Sequence, residues 1–354
     1  MRMPKKQNII VIFSIVAALV FASLACGSSD EPQLVATAPS DQVIVEEIEP
    51  STDEEIETVT DIEPETEVEI EPPLTSFEIG DVINIGNRTV VVVGWEEIPP
   101  AQFFEPEEGL KYIAVELVIV NTGETQISTS SLLQMNLKDE TAQRYTIDIM
   151  AQSQAKGGSI EGSLLPGEKI RGKIGFEVPE EVQNLELVFD AEVFGTGKVF
   201  VNLGSEPKMI EPPSEIPGET EQETFTVGDS IESNKFILTV NEVTSIAGDQ
   251  FTQPSDGYKF IAVDLTLVNN SSNAENISSL LQMFVKDSAG RKFSVDIWAS
   301  TAAGGATPEG EFAPGETIRG KVGYEVPVDE TDFVFVFESD FWNTGKVFVE
   351  IPLE

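Results

Sequence analysis

The side chains that could do chemistry in this chain come in matched pairs. Arg171 and Lys173 stand two residues apart, and so do Arg319 and Lys321. In a strand that spacing puts both cations on one face. There they could hold a small anion, such as a carboxylated glycan, or simply pair with carboxylates on the neighbouring strand. Asp148 lies within 145–149 and Asp296 within 293–297. Each precedes a Gly/Ser/Ala-rich stretch, 151–164 or 299–312, that contains Gly157-Gly158 or Gly304-Gly305. A loop of that composition lets a ligand come close, and Met150 or Trp298 at its mouth offers an apolar contact. Asp148 with Glu161, or Asp296 with Glu309, could also offer oxygen ligands to calcium, although no D-x-D-x-D-G spacing is present. Ser130-Ser131 and Ser278-Ser279 lack the G-x-S-x-G elbow of a nucleophile. They read as polar residues opening a strand.

Two absences narrow the chemistry further. The chain has no histidine, so no imidazole can act as general base or metal ligand. Its one cysteine, Cys26, leaves no disulfide, no catalytic dyad and no thiol-rich zinc site. Carboxylate chemistry of the glycosidase kind remains open, but it needs two carboxyl groups at a set gap. No spacing in the sequence specifies one. The expectation is a protein that is not an enzyme and needs no cofactor and no metal.

The cationic pairs sit in the stretch around which the chain is organised. Residues 166–179 (PGEKIRGKIGFEVP) return as 314–327 (PGETIRGKVGYEVP). Pro-Gly is a turn entered at a preset φ and left at positive φ. After it Ile170, Gly172, Ile174, Phe176 and Val178 alternate with Arg171, Lys173 and Glu177, the period of a half-buried strand. The correspondence extends over two units at a constant offset of 148 residues. Ser130–Met135 (SSLLQM) matches Ser278–Met283, and Thr196–Val201 (TGKVFV) matches Thr344–Val349. A shared register without net insertion indicates one duplicated domain, at 76–204 and 224–354, with a Pro/Glu-rich linker at 205–223 between the copies.

Within a unit the pattern is strand throughout. Arg88–Trp95 holds four successive valines, Lys111–Asn121 alternates, and Leu132–Lys138 and Gln143–Ile149 flank a hairpin turn. The strands after Pro-Gly, at 184–189 and at 197–203, complete the set, and no stretch has sustained helical periodicity. Seven or eight strands in a unit of this size form a two-sheet sandwich. Phe194 aligns with Trp342, which suits a core-filling role.

The N-terminal region sets the location. Arg2, Lys5 and Lys6 precede an apolar run, Ile9–Leu24, that ends in Ala25-Cys26-Gly27. This resembles a bacterial lipoprotein signal, in which the cysteine is lipidated and becomes the mature N-terminus; Ser23 stands where that pattern usually has leucine. A single-pass anchor is the alternative. Residues 27–75 contain no lysine or arginine and many glutamates among prolines, the composition of a disordered tether. As a flexible coil it would span on the order of 40 Å. With 62 acidic and 21 basic side chains the net charge is −41, which excludes nucleic acid as a partner.

The runs Gly109–Asn121 (GLKYIAVELVIVN), Pro-Gly-Glu and GKIGFEVP resemble an uncharacterised domain family of bacterial lipoproteins and secreted proteins, similar to the mycobacterial immunoprotective extracellular protein. That resemblance covers both units. It implies an immunoglobulin-like sandwich and brings no activity or catalytic residue with it. The chain is therefore expected to be all-β: two tandem immunoglobulin-like antiparallel sandwiches joined by acidic Pro-rich linkers. It is expected to be held on the outer face of the cell membrane by a lipid on Cys26 and to contact a protein or envelope partner. A carbohydrate- or cation-binding accessory module is the alternative.

Overall fold

A computed structural model describes residues 76–101, 104–191, 197–248, 252–339 and 345–353 of the chain. The apolar leader with Cys26, the acidic tether and the aligned Phe194 and Trp342 lie outside these residues.

Each repeat is a two-sheet sandwich. In the first, one sheet runs β1 (Ser76–Glu78), β11 (Lys198–Gly204), β10 (Leu185–Asp190), β6 (Met135–Lys138), β7 (Arg144–Tyr145). The other joins β3 (Arg88–Ile98), β4 (Leu110–Asn121) and β9 (Lys169–Pro179), with β2 (Ile83–Ile85) also on β3. A short ladder pairs β5 (Ile127–Thr129) with β8 (Gly162–Leu164). The second repeat reproduces this order. Its first sheet is β13 (Phe225–Thr226), β23 (Lys346–Pro352), β22 (Asp332–Glu338), β18 (Met283–Asp287), β19 (Lys292–Ser294). Its second is β14 (Ile231–Glu232), β15 (Phe236–Ile246), β16 (Tyr258–Asn269), β21 (Thr317–Pro327), and β17 (Glu275–Ile277) pairs β20 (Gly310–Phe312). The ladders are antiparallel with one exception per repeat: β1 on β11 and β13 on β23 run parallel. Inward residues of the facing sheets, such as Val115, Leu117, Ile174 and Phe176 with Leu137, Leu187 and Phe189, form one core, and the second repeat builds its own the same way.

Among the described residues, four short helices depart from the all-strand reading. α1 (Ser131–Gln134) and α3 (Ser279–Gln282) occupy the first half of the stretch expected as strand, and α2 (Ile149–Gln154) and α4 (Ile297–Ala303) open the expected glycine-rich loops. At four to seven residues they are too short to display a 3.6-residue period. Their seating explains the glycines of the repeated motif. A Cβ on Gly175 would lie 2.3 Å from the backbone of Ala151, and one on Gly323 2.2 Å from that of Ala299. Only a bare strand lets these helices lie against it.

The stretch 205–223 does more than join the repeats. β12 (Lys208–Met209) adds to β3, and Ile210 and Ile216 cover Val91, Val93, Val118 and Val120 on the outer face of that sheet. This accounts for four successive valines, since β3 is buried on both sides. In the second repeat the positions of Val91, Val93 and Val118 are Thr239, Asn241 and Thr266, and Asn241 bonds Asp264 and Thr266 across that face instead.

The two repeats belong to one compact unit. The Pro-Gly-Glu turn of the first docks on the β18–β22–β23 face of the second. Leu165 packs on the cluster of Phe284, Val336 and Phe348, as does Val334. Glu168 accepts from Lys286 Nζ at 2.5 Å and Lys346 Nζ at 2.9 Å, and Lys346 also pairs with Glu338 at 3.2 Å. Backbone joins the contact: Ser159 N donates to Lys292 O and Arg171 N to Gly290 O, each at 2.9 Å. Burial alone would push the Glu168 carboxyl up, but the two ammonium groups prevail and hold it at about 2.

Candidate functional site

The paired cations are engaged in the sheet. Glu116 lies opposite Lys173 in the β4–β9 register, and its buried carboxylate takes Arg171 Nε at 2.5 Å with Lys173 Nζ at 3.8 Å. Lys173 also meets Glu96 at 2.5 Å. In the second repeat Arg319 grips Asp264 with Nε at 2.8 Å and Nη2 at 3.1 Å, which holds the Asp264 carboxyl below its ordinary value. Lys321 N bonds Ala306 O, and its ammonium adds to the same field at Asp264. These are cross-strand pairs, the simpler of the two readings of their spacing. Arg171 in addition lies against the second repeat through its backbone.

Asp148 and Asp296 are helix caps and not strand residues. Asp148 Oδ1 accepts Ala151 N at 2.8 Å, and Asp296 Oδ1 accepts Ala299 N at 2.7 Å. Glu161 and Glu309, their supposed calcium partners, reach the other helix of each repeat. Glu161 Oε1 accepts Ser131 N at 2.8 Å and also Ser131 Oγ; Glu309 does the same for Ser279. Ser130-Ser131 and Ser278-Ser279 therefore open helices, and the two carboxylates of each expected calcium pair serve different helix N-termini.

What those caps hold out to solvent is apolar. Leu132, Leu133, Ile149 and Met150 in the first repeat, and Leu280, Leu281, Ile297 and Trp298 in the second, are 49–80% exposed. They are the same four positions in both copies. Each set falls on two helices that flank one end of a hairpin, one leading into its first strand and one following its second. In the second repeat Phe284 pairs with Ser294, α3 ends just before Met283, and the α4 cap follows at Asp296. Gln152 and Ser153 of α2 line a groove of about 270 Å³ with Asp296, the cap of α4, so the second helices of both repeats open on the same groove between them. Trp298 was singled out from the sequence; the two leucine pairs were not. A half-buried strand cannot turn two successive leucines inward, and Leu-Leu kept in both copies was the available signal of a non-strand.

A family model described as Domain of unknown function (DUF4352) matches residues 77–199 and again 225–347, together about two thirds of the chain. The chain belongs to the DUF4352 family. It carries two DUF4352 domains in tandem, and both are β-sandwiches. No curated protein matches the chain. Among solved structures, it is similar to a conserved hypothetical protein from Bacillus anthracis (21% identity, 35% of this chain and 94% of that one, TM-score 0.28). An uncharacterised β-sandwich protein from Clostridium difficile 630 matches at 18% identity over 38% of this chain and 99% of that one, TM-score 0.27. A Bacillus subtilis protein described as a candidate lipoprotein matches at 13% identity over 37% of this chain and 39% of that one, TM-score 0.29. Each of these matches spans about the length of one DUF4352 repeat.

Proposed function

We propose that this DUF4352 protein is a non-catalytic, lipid-anchored protein of the outer membrane face, whose two sandwiches work by contact. One observation carries the reading: the same four large apolar side chains stand exposed on capped helices in both repeats. Large exposed apolar side chains grouped on the two helices of a repeat mark a contact site in a way that scattered single residues do not, and here the group is doubled within one chain. The side chains that might have supported other chemistry have structural occupations. Glu116 and Asp264 neutralise strand cations, Asp148, Asp296, Glu161 and Glu309 cap helices, and Glu168 joins the repeats.

Photo-crosslinking in intact cells tests the reading. A benzophenone amino acid at Leu281 is expected to give adducts that the same probe at Val328, exposed but outside the helices, does not. Identical products from both positions, or none from Leu281, would count against it.

A further inference from the structure

We infer that the doubled apolar helix pairs dock on the surface of the lipid bilayer, an assignment that rests on the contact reading and names its partner. The chemistry around the eight side chains suits an apolar phase. In a chain with 62 acidic residues, the segments 126–135, 149–155, 276–283 and 297–307 contain no charged residue at all. Four carboxylates beside these helices, Asp148, Asp296, Glu161 and Glu309, are turned to backbone N–H groups. Carboxylates farther away matter little, because salt screens charge over about 8 Å at physiological ionic strength.

The backbone is prepared in the same sense. A polar backbone group without a partner is costly in lipid, and three N–H groups at the helix starts of each repeat have side-chain acceptors. Gln134 Oε1 takes Ser130 N, Glu161 takes Ser131 N and Asp148 takes Ala151 N, each at 2.8 Å. Gln282, Glu309 and Asp296 repeat the arrangement at Ser278, Ser279 and Ala299. Tryptophan favours the membrane–water boundary, and Trp298, two residues past the Asp296 cap, is 62% exposed. The chain preceding β1 supplies the remaining argument. It carries the apolar run Ile9–Leu24 and only then the acidic stretch that leads to Ser76. A sandwich tied to a membrane by such a segment meets that membrane at high effective concentration, so two modest patches suffice.

The test uses the full chain reconstituted into phosphatidylcholine vesicles whose acyl chains carry bromine. Trp95 is buried in the first core, so the difference between wild type and Trp298→Phe isolates Trp298. Bromine is expected to quench wild-type emission and to lose that component in Trp298→Phe, and also in Leu280→Ser/Leu281→Ser/Ile297→Ser. Equal quenching of wild type and Trp298→Phe overturns the assignment. So does acrylamide reaching Trp298 equally well with and without vesicles. If the bromine effect is absent while the Leu281 probe still crosslinks a protein in cells, the bilayer is the wrong partner and the contact reading stands. Absence of both removes both.

Discussion

Glu168 concentrates the electrostatics of the molecule in one carboxylate. It is buried, bonded to Leu165 N, and faces Lys286 and Lys346 of the other repeat. Its folded value of about 2 lies below the ordinary 4.5, so its contribution is complete above pH 4.5 and is lost as the pH falls toward 2. By linkage that loss is about 3 kcal/mol. In Glu168→Gln, Lys286 and Lys346 keep the backbone acceptors Lys169 O and Ser163 O but, among the described residues, Glu338 alone as an opposite charge, and uncompensated buried charge costs about 3–5 kcal/mol. Urea unfolding at pH 7 should show that cost, and the variant should lack the acid-dependent component between pH 4.5 and 2. Lys292 has the opposite sign. Burial lowers its ammonium from 10.5 to about 8, against the pull of Glu338 and Glu168 and with the push of Lys346 and Lys286. It donates to Glu161 O at 2.8 Å and lies over the Phe284 ring. The unfolded chain holds this proton where the folded one has released it, so the Lys292 contribution should rise between pH 8 and 10.5, by about 3 kcal/mol. Lys292→Met should flatten that rise in melts across the window. A profile unchanged by the substitution would place the titration elsewhere.

At the scale of elements, glycine decides which segments can touch. Gly94 has φ +144, and a Cβ there would fall 1.9 Å from Lys208 O. Gly94→Ala is expected to lift β12 from β3 and uncover Val91, Val93, Val118 and Val120. Protease should then cut within 205–223 much faster than in wild type, and a hydrophobic dye should bind; an intact strap under both probes would refute the role given to Gly94. The second repeat has Glu242 at this position, and among the described residues no strand corresponding to β12 joins its sheet. The same elements show how far the sequence could be read. Ile170–Val178 and Ile113–Ile119 alternate cleanly because each strand faces one core, and the 148-residue offset copies the pattern, so the doubled sandwich was legible. The strap was not, since Ile210 and Ile216 are isolated apolar residues among prolines and glutamates. Its trace was on the other side of the contact, in valines that fill both faces of β3. The helices escaped for a different reason. One turn is held by Asp148 or Glu161 and has no period of its own, so the apolar tips they carry could not be placed.

For the whole molecule, the contact between repeats poses a question of where it stops. The turn of one repeat meets the sheet of the next, so the two faces are different, and such a contact can in principle propagate from chain to chain. The free ends keep its charges. Glu316 accepts Ala313 N at 2.8 Å, just as Glu168 accepts Leu165 N at 2.8 Å, and Lys138 and Lys198 occupy the positions of Lys286 and Lys346. They have lost part of its apolar contact, although Val188 and Phe200 keep the places of Val336 and Phe348. Ala313 replaces the inserting Leu165, while Asn136 and Glu186 replace Phe284 and Val334 in the receiving surface. Lys138 meanwhile pairs within its own repeat, with Glu186 at 3.2 Å. What remains for a second chain is a socket with no inserting leucine and exposed ion pairing, worth about 0–1 kcal/mol per pair, opposed by a net charge of −41. The wild-type chain should therefore sediment as a monomer in mild detergent. Restoring knob and socket together, as Ala313→Leu with Asn136→Phe and Glu186→Val, should produce concentration-dependent head-to-tail association that either half alone does not. If the triple variant stays monomeric, the charges and not the buried leucine set the limit at two repeats. Sedimentation of Glu168→Gln in the same background separates the two, because it weakens the internal contact without touching the ends.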